Sequence, residues 1–164
     1  MAESHSALST QHSAPSMALT RSDIEALIPH REPFIFVDRI ETVEFGRRAV
    51  GWLDDVGPYQ AILSGHFPGF AVLPGAILVE ALAEVGAVAA LGLEAYRGKI
   101  AVLAGLDGWK FRKMARPGDS VRLEAELLRL RGNFGKGHLR ATIEGELVAE
   151  GDLSFGIVDR PEGL

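Results

Sequence analysis

Residues 74–92 read PGAILVEALAEVGAVAALG, and between the proline and the final glycine only Glu80 and Glu84 are neither apolar nor glycine. Proline suits a first helical turn, because its φ is already fixed near the helical value and no helix start satisfies that N–H internally. Gly92 marks the stop. A helix that is apolar on every face belongs inside a fold. A bilayer is the other apolar surrounding, but two acids near the centre of a span each cost about 2–4 kcal/mol. The stretch therefore predicts one buried helix over Pro74 to about Leu91, which needs other elements to cover it.

The flanking sequence supplies strands. Phe34, Phe36 and Val37, then Ile40, Val43 and Phe45, are β-branched or aromatic residues with polar ones between them. They predict strands at about 34–44 and 47–54, joined by a turn at Gly46. Asp54 to Gly65 reads as a loop. Beyond Lys99 the period is two residues, clearest in Val121-Arg122-Leu123-Glu124-Ala125-Glu126-Leu127. Turns are expected at Pro117-Gly118-Asp119 and from Gly132 to Gly137. Glycine-rich GNFGKGH at 132–138 lacks the ending of a phosphate-binding loop and reads as a hairpin. Ser22 and Glu25 look like a capping box opening a short helix before Pro29. The expected fold class is α+β: a single apolar helix against a strongly bent antiparallel sheet.

Composition narrows the function. The chain has 164 residues, 47% hydrophobic and 24% charged, which suits one soluble domain. A formal charge of -5 argues against a nucleic-acid binder. There is no cysteine, which removes disulfides, thiolate ligands and a thiol nucleophile, and accords with a cytoplasmic setting. Residues 1–20 are Ser- and Ala-rich, lack the basic start and apolar run of a secretory signal, and are expected to be a disordered tail before a domain at 21–160. His5 and His12 in that tail are too few to bind a metal.

His66 lies in SGHFPGF at 64–70, just before the helix. Gly65 allows close approach and Pro68 stiffens the chain. Imidazole titrates near neutral pH and is a common general base. Glu80 and Glu84 are four residues apart and share a helical face. If covered, such a carboxyl keeps its proton to higher pH and can serve as a general acid. The alternatives are a solvated stripe for the acids and a structural role for the histidine. The Gly75 amide sits where helix N–H groups are unpaired and favour negative charge. Base, acid and oxyanion donor are the parts needed to remove a proton α to a carbonyl and expel a β-hydroxyl.

The run SGHFPGFAVLPGAILVEALAE resembles the His-to-Glu motif of the FabZ-type (3R)-3-hydroxyacyl-[acyl-carrier-protein] dehydratases, including the fourteen-residue step from His66 to Glu80. Upstream, IPHREPFIFVDRI is similar to the family's LPHRYPFLLVDRV. Downstream, KFRKMARPGDSVRLEAEL is similar to its basic segment leading into PGD and a strand. The resemblance implies a hot-dog fold and a homodimer, which can assemble to a hexamer, with His from one chain and Glu from the other. It implies that His66 takes the C2 proton, Glu80 protonates the leaving hydroxyl and the Gly75 amide holds the thioester oxygen. The substrate would be an acyl chain on the phosphopantetheine arm of acyl carrier protein, in fatty-acid or related acyl biosynthesis, with no metal or other cofactor, no nucleic acid and no membrane.

Phe67, Pro68, Phe70, Pro74 and Glu84 would shape the site. The sequence departs from the family at Glu32 (usually Tyr), at Phe70 and Ala71 (usually a polar or basic residue, then Pro), and at Glu84 (often Gln). A thioesterase or a non-catalytic acyl-binding subunit are the alternatives. Glu rather than Asp at position 80 resembles the branch that does not isomerise the double bond. Between Lys110 and Arg140 nine Lys or Arg face three Asp or Glu, and Arg112, Lys113 and Arg116 are the densest group. They would steer an acidic carrier, or simply be solvated strand edges. His30 is placed in the core or near a partner's loop, and Trp52 and Trp109 in a core or interface.

Overall fold

The protein is described from a computed structural model over residues 17–161. The expected helix, α3, runs Gly75–Leu91 with Pro74 as its N-cap and Gly92 as its C-cap. Gly92 is not in a left-handed conformation (φ -69). A Cβ there would lie 2.0 Å from the Phe45 ring, so glycine is needed for packing and not for the turn. Eleven residues of α3 are buried. Each buried Leu or Val contributes about 1.5–3 kcal/mol, enough in sum to offset the dehydration of an acid among them.

Seven strands cover the helix: β1 Met17–Leu19, β2 Arg39–Glu44, β3 Arg48–Leu53, β4 Lys99–Phe111, β5 Val121–Arg131, β6 Phe134–Ile143 and β7 Glu146–Asp159. Their order in the sheet is β1-β2-β3-β5-β6-β7-β4, and every pair is antiparallel. The sheet bends around α3, which packs on β3, β4, β5 and β6. This is the hot-dog arrangement. Among the described residues no helix is long and apolar enough to cross a membrane.

Four local readings are corrected. Residues 17–20 belong to the fold and not to a tail: Met17 and Leu19 pair with Val43 and Ile40 of β2. His5 and His12 lie outside the described residues. Helix α1, Arg21–Leu27, is capped by Thr20 with Asp23 as its box partner, so Ser22 and Glu25 do not form the cap. The 54–65 loop contains a 3₁₀ turn at Gly57–Tyr59 and a short helix, α2, Gln60–Leu63. The β5–β6 turn is confined to Gly132 and Asn133, with residues 134–137 already in β6.

The largest departure is at 34–38, where no strand forms. Ile35, Phe36 and Val37 are all fully buried, so burial does not alternate. The amides of Phe36 and Val37 donate to the Glu84 carboxylate (2.8 and 3.0 Å) instead of joining a ladder. A buried backbone N–H must have a partner. Here a helix side chain provides it, and the strand starts only at Arg39.

Candidate active site

His66 follows α2, and its own amide donates to Ile62 O at 3.1 Å. The residues needing unusual backbone are Phe67 (φ 67) and Gly69 (φ 79); Gly65 does not have a positive φ. A left-handed aromatic residue costs about 1–3 kcal/mol and persists only where its surroundings enforce it. The turn folds the Phe67 ring onto the imidazole, with centroids 4.2 Å apart. His66 Nδ1 lies 3.2 Å from Val72 O. A carbonyl only accepts, so Nδ1 carries the hydrogen and Nε2 of the neutral ring keeps its lone pair.

The imidazole opens into a pocket shared with Phe67, Phe70, Gly75, Phe111 and Met114. Pro74, the N-cap residue, turns the chain into α3 so that Gly75 stands at the helix start, where amides lack intrahelical acceptors. A Cβ at Gly75 would come within 2.9 Å of the Phe111 ring, so any larger residue crowds this pocket. Lys113 lines the same pocket. Arg116 covers the Phe70 ring at 4.9 Å. Lys113 Nζ also donates to Glu146 (2.6 Å), and Arg112 lies 3.6 Å from Glu150. Part of the basic group is therefore tied to acids of its own chain.

Glu80 is elsewhere. At 100° per residue it lies about 140° around the helix from Gly75. It lines a groove beside β4 with Ala76, Val79, Leu103 and Trp109, and the mouth of an apolar cavity of about 100 Å³ between α3 and the sheet. Among the described residues, the pocket that holds His66 is lined separately from the groove and the cavity that hold Glu80, and only Phe111 borders both pocket and groove.

The dehydrated acid is Glu84, whose relative exposure is 1%. The Glu80 side chain keeps 29%, and its Oε1 lies 3.2 Å from His30 Nε2. Burial lifts the Glu84 pKa to about 7, against the pull of the Phe36 amide, the His30 charge and the Val37 amide. The hydrogen bond to Glu80 raises the His30 pKa, against desolvation. Donor atoms of His30, Glu80 and Glu84 lie within 4.8 Å of one another, close enough for a metal ion. Yet Glu84 is occupied by two amides and His30 Nε2 by Glu80, so the trio is already a hydrogen-bonded cluster.

The sequence alone places His30 in the core or near a partner's loop. Its signal is the PHR motif, but nothing in one sequence says that this loop runs beside α3. Trp109 lies across β7, donating to Asp152 O at 2.9 Å, whereas Trp52 donates to Glu41 at 2.6 Å. His138 is mid-strand in β6 and lies 2.8 Å from Asp152.

Residues 28–152 match the FabA-like domain family. A 3-hydroxyacyl-[acyl-carrier-protein] dehydratase FabZ from Geobacillus thermodenitrificans is 51% identical over 138 residues, covering 84% of this chain and 94% of its own. The enzyme of the same name from Bacillus cereus (strain AH187) is 48% identical, covering 88% and 99%. Among solved structures, the dehydratase heterocomplex ApeI:P from Xenorhabdus doucetiae aligns with a TM-score of 0.71 at 17% identity, covering 84% of this chain and 91% of that one. A hypothetical thioesterase with coenzyme A from Streptococcus pneumoniae aligns at 0.56 and 12%, covering 75% and 87%. Those two likenesses show the fold alone. The sequence matches go further, and by them the chain belongs to the FabA-like family and, within it, to the FabZ-type 3-hydroxyacyl-[acyl-carrier-protein] dehydratases.

Proposed function

We propose that the chain converts (3R)-3-hydroxyacyl thioesters on acyl carrier protein to trans-2-enoyl thioesters and water, in sites shared between two copies. The observation that carries this reading is the meeting of His66, held through Nδ1 by Val72 O, and the α3 N-terminus at Gly75 in one pocket. Nε2 takes the C2 proton. The electron pair flows toward the thioester carbonyl, whose oxygen accepts from the Gly75 N–H. The C2–C3 double bond forms as the C3–O bond breaks, and Glu80 gives the proton that turns the leaving hydroxyl into water. Phe67, Pro68, Phe70 and Pro74 hold the loop and helix start that aim these groups, and the apolar cavity beside Glu80 takes the acyl tail.

The acid reaches the base from a second chain. Strand β4 is thirteen residues long, lies at the sheet edge and exposes Val102, Leu103, Leu106 and Phe111. A long apolar edge is covered in a stable fold. Both the His66 pocket and the Glu80 groove border β4 through Phe111. A two-fold axis on β4 therefore sets each groove beside the other chain's pocket. Trimers of such dimers give the hexamer.

The test supplies a 3-hydroxyacyl thioester and follows enoyl absorbance and free thiol together. Enoyl formation supports the reading. Thiol release without enoyl would show a thioesterase, and tight binding with neither product an acyl-binding subunit.

Arg112, Lys113 and Arg116 flank the His66 pocket and suit docking of the acidic carrier. The double variant Arg112→Glu, Lys113→Glu is expected to lower kcat/KM on carrier-bound substrate by roughly tenfold or more at low salt. A short thioester analogue should be turned over as before. Equal losses on both substrates would remove the docking role.

A further inference from the structure

We infer that His30 is the positioning residue for Glu80: its Nε2–H holds Oε1, leaving Oε2 as the oxygen that meets the substrate. This rests on the role of Glu80 given above and adds a residue to it.

The imidazole can hold Glu80 in only one way. His30 Nδ1 is buried and meets no hydrogen-bond partner among the described residues. A neutral ring with its hydrogen there would bury an unpaired donor, which is the costlier defect than a spare lone pair. The hydrogen therefore belongs on Nε2, 3.2 Å from Glu80 Oε1. If the ring takes a second proton, Nε2 remains the donor. In the opposite tautomer Nε2 would accept, and the carboxyl proton of Glu80 would point at His30 and away from any substrate.

The backbone behind His30 is fixed as well. The Arg31 guanidinium donates to Glu25 O (2.9 Å), Ile28 O (3.0 Å) and His30 O (2.6 Å), which locks the turn. Further along the same segment, Phe36 and Val37 are tied to Glu84. The 30–37 segment is thus fastened to α3 at two points one helical turn apart. Glu84 fastens the backbone, and His30 orients the carboxyl.

The test uses the full chain with His30→Leu, His30→Gln and His30→Asn. Leucine is expected to lower kcat about 10- to 100-fold with KM within about twofold, as for a misaimed acid. Glutamine, whose amide reaches the Nε2 position, should restore most of the loss, whereas asparagine, too short, should not. In enzyme with ¹³C-labelled glutamate, the Glu80 carboxyl signal, identified by its loss in Glu80→Gln, should move in the leucine variant and return with glutamine. Wild-type kcat in the leucine variant, a loss confined to KM, or an unmoved Glu80 signal would each overturn the assignment. If the leucine variant does not fold, equal kcat for glutamine and asparagine overturns it. A wild-type chain that makes no enoyl product overturns the dehydratase reading instead, and the Glu80 signal still decides the role of His30.

Discussion

His66→Ala and Glu80→Gln should each lower kcat for dehydration by roughly 10²–10⁴-fold, the usual contribution of a general base or acid, and mixing the two inactive proteins should bring activity back. Recovery follows from the geometry. One chain turns His66 into the pocket at Gly75 and Glu80 into the groove beside β4. In a shared site, a dimer of one variant with the other has one site with both groups lost and one with both intact. Random exchange gives half mixed dimers, so about a quarter of wild-type activity should return. A single-chain site gives none, because each chain carries its own defect. The measurement is enoyl formation after subunit exchange, with mixed dimers counted by native mass spectrometry. Abundant mixed dimers without activity would refute the shared site.

Much of this architecture was legible because its signals are local. Pro74, Gly92 and an unbroken apolar run specify α3 within one stretch of chain, and alternation marks β5 without reference to any other strand. The errors have one kind of cause. Phe34 to Val37 have strand-like composition, yet the amides of Phe36 and Val37 are met by the Glu84 side chain, 48 and 47 residues away, which no local pattern encodes. The two glutamates show the same limit. Spacing puts Glu80 and Glu84 on one face but does not say which is covered. That is decided by the 30–37 segment lying over Glu84 and leaving Glu80 at the cavity mouth. His66 stands in a motif legible in the sequence, whereas the tautomer that frees Nε2 depends on Val72 O, which meets the ring only once the loop is folded.

Glu84→Gln should make the protein more stable at pH 8 while changing little at pH 5. Burial raises the folded-state pKa of Glu84 from 4.5 to about 7. Between those values the folded state holds a proton that the unfolded chain has released. The free energy of unfolding therefore falls as pH rises through that window, and the loss is complete above about 7. At 1.36 kcal/mol per pKa unit the cost of the charged form approaches ~3 kcal/mol, an upper value. Glutamine carries no charge to dehydrate, and its carbonyl at the Oε2 position can accept both the Phe36 and Val37 amides. Its NH₂ would stand where Oε1 now lies 3.2 Å from the Phe36 amide, a mismatch equal at both pH values. The informative quantity is thus the difference in variant minus wild-type stability between pH 8 and pH 5, read from urea melts, because fixed packing effects cancel in it. A rise of about 2–3 kcal/mol is expected. The opposite sign would mean that the two amides and His30 stabilise the Glu84 charge more than dehydration disfavours it. The acid beside Glu80 would then stay ionised at neutral pH and act on His30 and Glu80 as a fixed negative charge.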